Sequence, residues 1–272
     1  FNGITTLQRQ TIAHVTGTPL VEITNSTSPI FFNNLVVTES FGNIGINMVG
    51  NGQGAEGNGR ILMSDVNVLT NGGTAVFGLD NHLIQTRAGD ITAIDAPAID
   101  IENSGIMIDL EQVSSSNSPT YGIRLVDTNK DAVSGHPIIA RTFTVRGTPV
   151  VGTQVGATPF GGVIEDAAAE GILLQNAGEV SLSWMTLDNN QFGIRVLNDL
   201  QDMAGVTRVD DDQFVRFLNG DMIDSVVRGI DATNLTLLDV EDSIFTDNGT
   251  LQSIYVTYTQ RPNDPTTTRY SE

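Results

Sequence analysis

The sequence predicts an all-β chain wound as a parallel β-solenoid of about ten coils, and three observations predict it. A short phrase, a small residue followed by Ile or Val, recurs along most of the chain. A second phrase sets apolar residues at +2, +5 and +7 from its first. Between the two lie clusters of Asn, Asp, Ser and Gly, and almost no segment carries the 3.6-residue apolar period of a helix.

The first phrase reads Gly45-Ile46-Asn47-Met48, Ala75-Val76-Phe77, Ala98-Ile99-Asp100-Ile101, Gly122-Ile123-Arg124-Leu125, Gly171-Ile172-Leu173-Leu174, Gly193-Ile194-Arg195-Val196, Gly229-Ile230-Asp231-Ala232 and Ser253-Ile254-Tyr255-Val256. Its markers at 46, 76, 99, 123, 172, 194, 230 and 254 are separated by 30, 23, 24, 49, 22, 36 and 24 residues. The underlying period is about 22 to 25 residues, one coil. The gap of 49 reads as two coils with Pro149-Val150-Val151 as a degraded middle member, and the gap of 36 as one coil plus an insertion.

The second phrase runs Ile30, Phe32, Leu35, Val37; then Ile61, Met63, Val66, Val68; then Ile138, Ala140, Phe143, Val145; then Val180, Leu182, Met185, Leu187. Imperfect copies are Ile108, Leu110, Val113, Ser115 and Leu235, Leu237, Val240, Asp242. Alternation by two demands strand, and the step of three between the pairs demands a corner. Asn33-Asn34, Ser64-Asp65 and Ser183 fall in or near that bend; Asn71-Gly72-Gly73, Asn189-Asn190 and Asp247-Asn248-Gly249 follow the second strand. Three short strands per coil bury a face only when coils stack. An α/β barrel needs helices between its strands, and a propeller needs longer blades of antiparallel hairpins.

The stretch from Gly171 to Val196, with Gly-Ile-Leu-Leu at its start and Gly-Ile-Arg-Val at its end, resembles a coil of the right-handed parallel β-helix repeat. That family includes pectate-lyase-like enzymes, phage tailspikes and the passenger regions of autotransporters and other bacterial surface proteins. The resemblance covers roughly residues 18 to 258 and implies the right-handed sense of winding.

On this reading 1–17 is a lead-in segment, 18–258 the β-helix and 259–272 a linker or tail too rich in Pro and Thr to add a coil. Two insertions interrupt the coils: a glycine-rich loop at about 50–59 and a larger excursion at 198–228, expected to project as a hairpin or short helix. The chain begins at Phe1, which reads as a processed or excised piece.

Composition narrows the function. A formal net charge of -19, from 13 Lys+Arg against 32 Asp+Glu, argues against nucleic acid and anionic lipid. No run approaches a membrane helix in length. Zero Cys removes disulfides, thiolate metal sites and a Cys nucleophile, and His14, His82 and His136 lack zinc spacing. The sequons at Asn25, Asn234 and Asn248 carry weight only in a eukaryotic source.

The third position of the first phrase points outward, giving a row Glu22, Asn47, Phe77, Asp100, Arg124, Val151, Leu173, Arg195, Asp231, Tyr255. It sets Asp100 against Arg124 and Arg195 against Asp231 on adjacent rungs. The family resemblance implies one use for such a row: in its lyases an Arg beside carboxylates abstracts or steers a proton, and in its hydrolases two or three Asp act as acid and base. The Asn-Thr-Asp and Gly-His-Gly motifs of the galacturonase branch and the clustered motifs of pectate lyases are missing, however, and His136 precedes Pro137. A ladder of surface ion pairs is therefore preferred, with no catalytic residue. Weak calcium candidates are Asp210, Asp211, Asp212, Asp239, Glu241 and Asp242, none in a calcium-loop motif; no cofactor is expected beyond such weak calcium.

The expected function is a secreted or cell-surface structural and adhesive module, a segment of a larger bacterial protein. It meets a carbohydrate or cell-surface ligand and joins a neighbouring chain or its own kind through open solenoid ends. The alternatives are a polysaccharide lyase or glycosidase using Asp100, Arg124, Arg195 and Asp231, and a trimeric tailspike-like fibre.

Overall fold

In the computed structural model every strand pairing is parallel, and most join a strand to one lying 22 to 25 residues further along, as Ile99 with Ile123 and Ile172 with Ile194. The structure describes residues 18–39, 42–51, 59–128, 142–147, 161–198, 213–249 and 251–257, with the backbone alone at 5–8 and 11–13. Among them there are strands, turns and no helix.

The chain opens with β1 (Thr5–Gln8), β2 (Thr11–Ala13), β3 (Val21–Thr24), β4 (Ile30–Thr38), β5 (Ile46–Val49), β6 (Arg60–Asn71) and β7 (Val76–Leu79). It continues through β8 (Leu83–Thr86), β9 (Asp90–Ile94), β10 (Ile99–Glu102), β11 (Ile106–Leu110), β12 (Gln112–Ser116), β13 (Ile123–Val126), β14 (Thr142–Val145), β15 (Gly162–Glu165) and β16 (Glu170–Gln175). The upper rungs hold β17 (Glu179–Ser183), β18 (Met185–Asp188), β19 (Phe192–Leu197), β20 (Phe214–Leu218), β21 (Asp221–Ile223), β22 (Arg228–Thr233), β23 (Leu237–Glu241), β24 (Ile244–Thr246) and β25 (Ile254–Thr257).

Nine of these stack in one sheet in the order β3-β5-β7-β10-β13-β16-β19-β22-β25, about 38 Å over eight steps of strand spacing. The other sixteen form a sheet with two legs, because β4 and β6 run unbroken around the corner that separates β8 from β9 and β17 from β18 in later rungs. Each coil therefore has three corners. Corner one follows the nine-stranded sheet, corner two divides the legs, and corner three returns the chain. This fits the predicted β-solenoid.

The core is built of columns. Ile46, Val76, Ile99, Ile123, Ile172, Ile194 and Ile230 stand in register and are buried. Rows of β-branched residues suit a strand buried on its inner face. The small residue ahead of them has a steric cause: a Cβ on Gly193 would lie 2.6 Å from the Gly229 carbonyl oxygen of the next rung. The column ends at Ile254, 40% exposed, and on that last rung Leu237 and Ile244 are also exposed.

Corners are made by residues in the left-handed region, where Asn and Asp carry less penalty than other non-glycine types. Corner one has Asn25, Asp80, Asn103, Asp127, Asn176 and Asn234; corner three has Asp95, Asn117, Asp166, Asn189, Asp224 and Asp247. Corner two has Asn34, Asp65, Asn219 and Asp242, and in the same column Trp184 at φ 59°. A bulky side chain there costs about 1–2 kcal/mol.

Three expectations change. The gap of 49 is one coil, since β13 pairs directly with β16 and Arg124 adjoins Leu173; Val151 lies outside the described residues. The excursion at 198–228 is shorter, since Phe214 to Leu218 and Asp221 to Ile223 are ordinary rungs between β17 and β23 and between β18 and β24. Two copies of the second phrase slip: Phe143 aligns with Val180, and Val240 with Phe217, so each occupies the first leg. Of the glycine-rich loop at about 50–59, residues 52–58 lie outside the described residues, as does the tail at 259–272.

Candidate functional site

The outward row of the nine-stranded sheet holds the sequence-predicted charges. Register runs Glu22, Asn47, Phe77, Asp100, Arg124, then Leu173, Arg195, Asp231, Tyr255. A second outward line lies three residues earlier, since the bulge at Gly-Ile turns Glu170, Phe192 and Arg228 to the same face in register with one another.

Asp100 and Arg124 meet as expected, within a larger node. Arg124 Nη1 donates to Asp100 Oδ1 at 2.8 Å and Nη2 to Glu102 Oε2 at 2.5 Å, while the Tyr121 hydroxyl donates to Asp100 Oδ2 at 2.8 Å. The guanidinium lies 5.7 Å from the Tyr121 ring centre. Burial, then the charge and hydrogen bond of Asp100, push the Tyr121 phenol well above its usual range. Burial opposes the charge on Arg124, yet its bonds to Asp100 and Glu102 outweigh that and push the guanidinium further up. A general base must be able to shed its proton near the working pH, and both groups are moved the other way. The node is a closed set of donors and acceptors.

Arg195 and Asp231 adjoin in register but do not pair. Arg195 Nη1 reaches back to Glu170 Oε1 at 2.9 Å and its guanidinium covers the Phe192 ring at 4.8 Å. Asp231 instead accepts from Arg228 Nη1 at 2.9 Å, and Arg228 lies 3.9 Å from the centre of the Tyr255 ring. The second outward line offers nearer partners than the next rung does. Tyr121, Glu170, Phe192 and Arg228 were missed in the sequence, although all stand one place before the small residue of the repeated phrase.

Among the described residues the calcium candidates do not converge. Asp239 Oδ2 lies 3.7 Å from Arg216 Nε, and Arg216 also reaches Glu179 at 3.3 Å. Glu241 closes β23 and Asp242 forms corner two of that rung. Among the described residues no group of three carboxylate or imidazole side chains is placed to hold a metal ion; Asp210, Asp211 and Asp212 lie outside them.

Two carboxyls elsewhere are raised. Asp90 is raised by burial and then by Glu111 and Asp65, and Asp188 by burial and then by Asp224 and Asp166 against the Asn189 amide. Both sit on the large sheet near a corner, apart from the outward row.

No helix among the described residues is long and apolar enough to cross a membrane. Comparison with protein-family models, with curated proteins and with solved structures finds no match.

Proposed function

We propose that the chain is a structural and adhesive module of an extracellular or cell-surface protein, with no catalytic site of its own. Its fold is a right-handed parallel β-helix of about ten coils, of the kind found in pectate-lyase-like and bacterial surface proteins. One observation carries the reading. Four charged groups of the outward row are each paired, Asp100 with Arg124 and Tyr121, Arg195 with Glu170 and Asp231 with Arg228 of the second line, rather than held apart around an open reaction space.

A repetitive face of closed ion pairs suits a rigid spacer, and recognition falls to the loops that leave it. Three stretches outside the described residues, 52–58, 129–141 and 199–212, are each flanked on both sides by residues at corner one. The exposed apolar side chains on the rung of β23, β24 and β25, the last among the described residues, support association with a neighbouring chain there.

The test is incubation with neutral and acidic polysaccharides, with and without calcium, following unsaturated-product absorbance and reducing ends together. Background signal throughout is the expected outcome. Turnover of any substrate, lost in Arg124→Ala or Arg195→Ala, overturns the module reading in favour of a lyase or glycosidase.

A further inference from the structure

Among the described residues the core is open at the rung of β23, β24 and β25. Each of these strands ends its sheet path and pairs with one strand only, β20, β21 and β22 in turn, so one edge of each is free among the described residues. The inward side chains Leu238, Val240, Phe245 and Val256 pack on the core only in part, and Ile254 is 40% exposed. Leu251, three residues earlier, is 51% exposed. The nine-stranded sheet ends differently at β3, where Val21 and Ile23 are 7% and 2% exposed. The open apolar face therefore belongs to one end of that sheet and not to the other.

Charge marks the same rung. From Asn234 to Thr257 the chain has four carboxylates, Asp239, Glu241, Asp242 and Asp247, and no Lys or Arg. Glu241 and Asp242 at corner two and Asp247 at corner three are all exposed, so acid stands at two corners of the open face. The cations of the rung below are already engaged. Arg216 reaches Glu179 at 3.3 Å and Asp239 at 3.7 Å, while Arg228 bonds Asp231 at 2.9 Å and lies over the Tyr255 ring.

From this we infer that the rung of β23, β24 and β25 is the docking face for a different protein chain, one that adds a strand with apolar side chains inward and Lys or Arg at its margin. Free strand edges supply main-chain hydrogen bonds and the half-covered inward residues supply apolar contact. The acid corners then select a basic partner. Two copies of this chain do not fit one another. Docked through the same face, they would bring two sets of Glu241, Asp242 and Asp247 together, and like charges so placed oppose association. Stacked head to tail, one copy would meet β3 of the other, whose Val21 and Ile23 are already covered. This inference rests on the association proposed for the module at this rung and names the partner's chemistry.

The test uses the whole chain and two labelled synthetic peptides, Arg-Ile-Thr-Ile-Arg-Val-Thr-Val-Arg and its counterpart with Glu in place of each Arg. Saturable binding of the Arg peptide alone is expected, with amide exchange slowed about fivefold over 254–257 and unchanged over 21–24. The double variant Glu241→Lys with Asp242→Asn keeps a residue suited to the left-handed corner. It is expected to bind the Arg peptide about tenfold more weakly at low salt, with a melting temperature within about 2 °C of the parent. Binding of neither peptide, equal binding of both, equal slowing over 21–24, or an unchanged affinity in the double variant overturns the proposal. A parent that sediments as a dimer or filament gives the face to a second copy, and binding that requires removal of 259–272 gives it to the chain's own tail; either result also overturns it. Polysaccharide turnover reads a different property, so failure of the module reading and failure of this proposal are told apart.

Discussion

Asp95 shows at the scale of one residue one source of the chain's acidity. It is exposed, has φ 58°, and its amide donates to the Ser116 carbonyl of the next rung at 2.8 Å. Eight of the 32 carboxylates, all Asp, stand at corners of this kind, where only Gly, Asn and Asp sit cheaply. Asp95→Ala is expected to cost about 1 kcal/mol in urea denaturation, with Asp95→Asn and Asp95→Gly within about 0.5 kcal/mol of the parent. Asp188 gives the pH counterpart. Its folded-state pKa is raised above the usual 3.8, so the folded state binds its proton more tightly than the unfolded chain does. The group therefore weakens the fold above its folded-state pKa, and the loss disappears as pH falls below 3.8. Asp188→Asn should melt higher than the parent at pH 7 and equal it near pH 3; a constant offset at both would show that charge is not the cause. Corner residues such as Asn34, Asp65, Asn189 and Asp247 were legible because turn chemistry selects them. Trp184 was not, since nothing in its type announces a left-handed backbone.

Ladders set the scale of the element. Just past corner one, Asn51 donates through Nδ2 to Asn81 Oδ1 at 2.8 Å, and Asn81 Nδ2 donates to the Met48 carbonyl at 2.9 Å. Below them, the Ser26 amide donates to Asn51 Oδ1 at 2.9 Å. Both Asn side chains are almost wholly buried, so each carboxamide depends on its neighbour. Asn81→Ala removes the bonds that Asn81 makes to Asn51 Nδ2 and to the Met48 carbonyl and is expected to cost about 2 kcal/mol by denaturant titration. Strand type and period were legible because inward Ile and Val repeat so closely in β10, β13, β16 and β19. Register was less legible. Apolar residues at +2, +5 and +7 look alike after a slip of five, so Phe143 and Val145 satisfy either leg. Gly162, facing Met185 on the next rung, erases the apolar mark that would have decided it.

Across the described residues the stack is most deeply buried within and least at the rung of β23, β24 and β25. Leu238, Val240, Phe245 and Val256 pack on the core only in part, and Ile254 is exposed, while their counterparts one rung below, Val215, Phe217, Met222, Ala232 and Ile230, are fully buried. Arg228 ties that rung down, with one nitrogen on Asp231 and its plane over Tyr255. Arg228→Ala should speed amide exchange at 254–257 severalfold and leave that of 123–126 unchanged; equal acceleration at both would mean the stack opens as one unit. The outward charges were legible as a row, and Asp100 with Arg124 as a pair, but the partners of Arg195 and Asp231 were not, because one phrase position hid a second outward line.

The three openings at corner one have a consequence for change. Each leaves from a column that is hydrogen-bonded or buried, at Asn51, Thr128 and Asn198, and returns at the start of a strand leg. Where both ends of a detour are fixed to neighbouring rungs, its length and content are free to vary without shifting a single pairing elsewhere. Selection, or a designer, can lengthen or shorten the chain between such fixed flanks as one changes tools in a holder, and the holder does not need to be rebuilt.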